Sequence, residues 1–143
     1  MTNEVKETNE VKETKTNKYT QAELLTLFDE LIFSGEYSET ITIRGKLKLT
    51  LRSRSAEEVS EISRILDGGT YKLVTTMQEQ RALHNIAYSL INYNGKDLSQ
   101  TKIEDRIKFI SKLPASLLGV ISDKLLEFDL KVEQACIEGE ENF

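Results

Sequence analysis

The first residues are polar almost throughout. Asn3-Glu4-Val5-Lys6-Glu7-Thr8 is followed at once by an identical copy, Asn9 to Thr14, and Val5 and Val11 are the repeat's only apolar members. One valine per repeat cannot bury enough surface to offset the entropy of ordering the backbone, so residues 1–17 are expected to be a disordered tail. The pattern changes near Lys18, where a single domain over 18–143 is expected to begin. Thr20 with Glu23 has the spacing of a capping box, which satisfies the first free amides of a helix. Leu24, Leu27, Phe28, Leu31 and Ile32 then recur at helical spacing until Gly35, a residue suited to a left-handed stop.

After Gly35 the period falls from 3.6 to 2. Thr40 to Arg44 alternates, and so does Lys46 to Arg52. This predicts a β-hairpin at about 39–52, turning at Gly45, with Ile41, Ile43, Leu47, Leu49 and Leu51 on its inner face. Arg44, Lys46, Lys48 and Arg52 make its outer face basic, and Arg54 follows. An isolated hairpin is barely stable, so helices must cover the apolar side. Ser55 with Glu58 and Thr76 with Glu79 repeat the capping spacing. The first predicts a short helix closing at Asp67-Gly68-Gly69. The second opens or continues a longer one whose apolar spacing runs through Leu90 and Ile91 to Asn94-Gly95. Ile103, Ile107, Ile110 and Leu113 mark a fourth helix, broken at Leu113-Pro114.

The last apolar series is the longest. Leu118, Ile121, Leu125, Phe128, Val132 and Ala135 form a heptad-like seam from Ala115 to about Cys136. Leu117, Val120, Leu126 and Leu130 add apolar area beside it. The surplus is consistent with a central helix packed on two sides, or with a docking face formed by those four residues. The expected architecture is therefore α+β, mainly α: a β-hairpin packed against about five helices, with a disordered N-terminal tail.

Composition narrows the chemistry. The 143 residues carry a net charge of −5, which argues against general nucleic-acid binding, although the cluster from Arg44 to Arg54 could meet phosphates. The apolar runs are far too short to span a membrane, and no signal peptide is expected at the N-terminus, so a cytosolic setting is expected. A single cysteine, Cys136, excludes an intrachain disulfide and leaves few soft ligands for a metal. It lies between Glu133 and Glu138, the reverse of the electropositive setting of a nucleophilic thiol. The single histidine, His84, sits on a helix between Leu83 and Ile86 with no partner suggesting a triad. Gly68-Gly69 lacks the lysine and the strand–loop–helix context of a phosphate loop. These observations predict a non-catalytic protein with no cofactor, no metal and no small-molecule substrate.

The order of elements adds a resemblance. An N-terminal helix and acidic loop lead to Glu39-Thr40-Ile41-Thr42-Ile43-Arg44-Gly45-Lys46-Leu47-Lys48-Leu49-Thr50-Leu51-Arg52 and a Ser-x-Glu-Glu helix start. Leu83-x-x-Ile86-Ala87-x-x-Leu90-Ile91 then closes in Asn94-Gly95, and Leu113-Pro114 precedes a long helix ending near Asn142-Phe143. Over most of residues 20–143 this resembles small tail-assembly chaperones and baseplate-hub assembly proteins of tailed bacteriophages. The resemblance implies a helper that binds a tail protein such as the tape measure or a hub subunit, acting in the cytoplasm of the infected bacterium. A structural component of the virion, such as a hub or neck subunit, and a nucleic-acid-binding regulator using the basic hairpin face are the alternatives. Self-association is the other partner that the wide apolar helix would suit.

Overall fold

A computed structural model describes residues 18–69 and 74–141 of the chain; the tail expected over 1–17 lies outside them. Helix α1 (Gln21–Ser34) begins where the Thr20 hydroxyl accepts the Glu23 amide at 3.1 Å. It ends at Gly35, whose φ of 74° returns its amide to the Leu31 carbonyl. Strands β1 (Ser38–Ile43) and β2 (Leu47–Arg52) pair antiparallel in the register Ile41↔Leu49 and Ile43↔Leu47. Arg44 and Gly45 take φ of 54° and 66° in the turn, the positive values that a type I′ geometry requires. Helix α2 (Ala56–Asp67) opens with a complete capping box. The Glu58 amide donates to Ser55 Oγ at 3.1 Å, and the Ser55 amide donates to Glu58 Oε1 at 2.9 Å.

Two expectations need correction in the middle of the chain. Helix α3 runs Val74–Ser89, so Thr76 lies inside it, and of its two expected roles the Thr76–Glu79 spacing continues the helix and does not open it. Leu90 and Ile91 leave the helix and form strand β3 (Leu90–Tyr93), which turns at Asn94-Gly95 into β4 (Lys96–Asp97). The sheet therefore has four antiparallel strands in the order β1-β2-β3-β4, where a single hairpin was expected. The physical reason is the second edge of β2. Its backbone groups need partners, and β3 supplies them through Leu49↔Tyr93 and Thr50↔Asn92, with a register shift before Leu51↔Leu90. Asn94 and Gly95 both have positive φ, 49° and 93°, and the Asn94 amide donates to the Lys48 carbonyl at 2.7 Å. An Asn-Gly pair thus served as a hairpin turn where a helix stop was expected.

Helix α4 (Ile103–Ser111) and helix α5 (Ala115–Glu141) complete the chain. One face of the sheet, carrying Leu49, Leu51 and Leu90, meets Ile86 and Ala87 of α3, Ile110 of α4, and Ile121, Leu125 and Phe128 of α5 in the main core. Leu24 and Leu27 of α1 form a second cluster with Ala135 of α5. Tyr37 joins the two clusters, stacking on Phe128 at a centroid distance of 5.8 Å. The chain is thus α+β and mainly α, as its patterning predicts.

Arg106 shows how a charge is tolerated inside this fold. It is buried and donates to three backbone carbonyls: Thr101 at 3.1 Å, Ser99 at 3.1 Å and Ala87 at 3.3 Å. Burial lowers its pKa, and the carbonyls replace the water it gives up. Its guanidinium ties the segment after β4 to the end of α3.

Candidate docking surface on the C-terminal helix

Helix α5 is 27 residues long and meets the rest of the chain along one side. Ile121, Leu125, Phe128 and Ala135 are buried on it, as is Gly139. At about 100° per residue these positions cluster around one direction, and Leu126, Leu130 and Ile137 fall within about 40° of one another nearly opposite. Those three are 59%, 54% and 49% exposed, values that set them apart from Leu125 at 4%.

Ion pairs fix which side is which. Asp129 and Lys131 flank the buried side at about 80° to either hand. Asp129 accepts from Arg54, just beyond β2, at 2.6 Å. Lys131 reaches Glu39 of β1 at 3.3 Å and lies over the Tyr19 ring at 5.0 Å. Burial alone would lower the Lys131 pKa, but Glu39 and Tyr37 carry it upward, so the lysine stays a cation in this bridge. One flank of α5 is therefore tied to β1 and the other to the segment that follows β2. Farther along, α1 lies on the same buried side. A Cβ at Gly139 would overlap the Phe28 ring, so this glycine is what lets α1 approach.

The four positions expected to form the docking face do not share one direction. Leu126 and Leu130 point away from the protein. Val120 is 40% exposed but sits about 100° around the helix from them. Leu117 is half-buried and packs on the main core. Ile137 belongs to the exposed stripe, seven residues beyond Leu130, and the expected helix end near Cys136 hid it. The spacing Leu130 to Ile137 was the available signal. Beside Leu126 runs a shallow groove between α3 and α5, lined by Gln78, Arg81, Ala82, Asn85 and Ser122.

The basic hairpin face is smaller in three dimensions than in sequence. Arg52 makes paired hydrogen bonds to the Glu58 carboxylate, one of 2.8 Å, and lies 3.5 Å from Glu36. The Arg52 hydrogen bonds hold the Glu58 carboxyl down at about 2, against the opposing effect of burial. Arg54 is taken up by Ser89 and Asp129, and its Nε is buried without a partner among the described residues. Arg44, Lys46 and Lys48 remain exposed at the hairpin tip.

His84 is buried, with Nδ1 2.7 Å from the Gln80 carbonyl one turn earlier, so that nitrogen carries the proton and the ring is tied to its own helix. Cys136 is exposed and unpaired. Among the described residues no cluster of three or more His, Cys, Asp or Glu is arranged to hold a metal ion, and no helix is long and apolar enough to cross a membrane. Comparison with family models, curated proteins and solved structures finds no match to this chain.

Proposed function

We propose that this protein is a non-catalytic assembly factor that holds a partner protein on the outer side of α5. The observation that carries this reading is the stripe Leu126, Leu130 and Ile137, left uncovered by the described residues on a helix whose other side is buried and whose flanks are held at Asp129 and Lys131. Exposed large apolar side chains aligned along one helix face are the usual mark of a protein-binding surface. The resemblance in the order of elements gives the partner its class: a tail component of a bacteriophage, such as the tape measure or a baseplate hub subunit, bound in the cytoplasm of the infected host. A nucleic-acid role receives less support, because Arg52 and Arg54 spend their charge on Glu58 and Asp129.

The test is co-expression of the chain with each candidate tail component, followed by co-purification. Leu126→Asp and Leu130→Asp should fold with unchanged thermal stability and lose the complex. If both variants still co-purify with a partner that the parent chain binds, the docking face lies elsewhere.

A further inference from the structure

The outer side of α5 carries more than apolar residues. Asp123, Glu127, Glu133, Glu140 and Glu141 are all exposed and lie on or beside the Leu126–Leu130–Ile137 stripe. The lysines of the helix, Lys124 and Lys131, are turned toward one flank, where they meet Glu127 at 3.6 Å and Glu39 at 3.3 Å. Carboxylates outnumber the cation beside this stripe, Arg81 in the groove next to Leu126, and an apolar stripe with such a rim is matched by a surface that is apolar along its middle and basic along its edges. Another copy of this chain does not offer one among its described residues. Pairing α5 with α5 would set acidic rims against each other. Outside α5 the exposed large apolar side chains, Ile32 and Phe33 on α1 and Val59 and Ile65 on α2, stand in sequence among Asp29, Glu36, Glu57 and Glu61, and the cation beside them, Arg64, is paired with Glu61. The cations of the hairpin tip, Arg44, Lys46 and Lys48, have no exposed large apolar side chain in the strands beside them.

A second observation bears on how the occupant lies. Gly119 falls on the same line of the helix as Leu126, Leu130 and Ile137, and it is exposed. Glycine in a helix interior is destabilising relative to alanine, so its presence there needs a reason. Gly139 has one inside the chain, since Phe28 of α1 fills the space a Cβ would take. A Cβ at Gly119 would meet nothing within 4 Å. The same device that admits α1 at one end of α5 is present on the outer side with no element of the described chain using it.

We propose that the outer side of α5 receives a basic amphipathic helix from another protein, laid along α5 with its backbone nearest at Gly119. The partner's apolar residues cover Leu126, Leu130 and Ile137, and its lysines and arginines meet the acidic rim. This deepens the docking reading above and rests on it.

The experiment uses the full chain and three synthetic helical peptides, followed by fluorescence anisotropy. The first has leucines along one face and lysines on its flanks. The second keeps the leucines and replaces the lysines by glutamates. The third scrambles the first so that its apolar residues share no face. The first should bind at least about tenfold tighter than either control, and should weaken about tenfold when salt rises from roughly 50 to roughly 500 mM. Gly119→Leu should raise the melting temperature of the free chain by a few degrees while weakening binding of the first peptide at least about tenfold. Equal binding of the lysine and glutamate peptides, or of the scrambled peptide, overturns the proposal, as does Gly119→Leu that stabilises without weakening binding. If no peptide binds while Leu126→Asp still disrupts a co-purified complex, the basic helix is wrong and the docking face stands. If Leu126→Asp leaves that complex intact, the docking face itself is wrong.

Discussion

Leu125 and Leu126 are neighbours in sequence and opposites in circumstance. The first is 4% exposed in the main core, and the second is 59% exposed on the outer side of the same helix. Gly139 and Gly119 make the same contrast, one pressed by Phe28 and the other facing open space. The inner side of α5 spends its residues on stability: aliphatic side chains against the sheet, a glycine that admits α1, and flanking ion pairs to β1 and to Arg54. The outer side carries leucines and a glycine that contribute little to stability or reduce it. Residues that a fold does not need for itself are where a partner is best sought.

The sharpest way to break this comparison is at the leucine pair. Leu125→Ala should cost about 2–5 kcal/mol, the range for a buried leucine whose cavity does not collapse, while Leu126→Ala should stay within about 0.5 kcal/mol of the parent. Chemical denaturation of both variants measures it. Similar costs for the two would mean that the outer side is core.

The glycines come next. Gly139→Val should destabilise by about 1–3 kcal/mol, because its side chain and the Phe28 ring cannot both keep their places. Gly119→Ala should stabilise by about 0.5–1 kcal/mol, since it adds helix propensity and meets nothing. Thermal unfolding reads both, and Gly139→Val should also separate α1 from α5, visible as faster amide exchange in α1. A destabilised Gly119→Ala would show that the outer side is occupied within the chain.

The ion pairs on the hairpin sharpen the comparison from the electrostatic side. The Glu58 carboxyl is held at about 2, below its ordinary 4.5, so its pairing with Arg52 contributes stability that is fully present above about pH 5. That contribution is lost as pH falls from there toward 2, because the unfolded chain takes up the proton first. The pair is partly exposed, so the loss should be about 1–3 kcal/mol. Unfolding measured from pH 6 to pH 2 should show Glu58→Gln less acid-sensitive than the parent. Equal acid sensitivity would mean that the pair contributes nothing.

Local chemistry made much of this fold legible in advance. Thr20 and Ser55 cap the helices they precede, Gly35 and Gly45 take the positive φ their positions demand, and the alternation from Thr40 to Arg52 fixes the hairpin's inner face. The seam from Leu118 to Ala135 is buried or half-buried along its length. These features depend on residues within a few positions of one another, where spacing alone carries the information.

Other features were decided at a distance. Leu90 and Ile91 continue a helical spacing and also suit a strand, and only the unpaired edge of β2 chose between them. Alternation placed Arg52 on the outer face of the hairpin, yet Glu36 and Glu58 claim it there, while Asp129, 75 residues away in the chain, claims Arg54. The apolar surplus of the last helix was visible in the sequence, but not its division into Leu117 inward, Val120 aside, and Leu126 and Leu130 outward with Ile137. The sequence determined that α5 would be amphipathic and too wide for one stripe. The tertiary structure decided which side stayed open, because the buried direction of a helix is set by the elements that pack on it and by the ion pairs that hold its flanks.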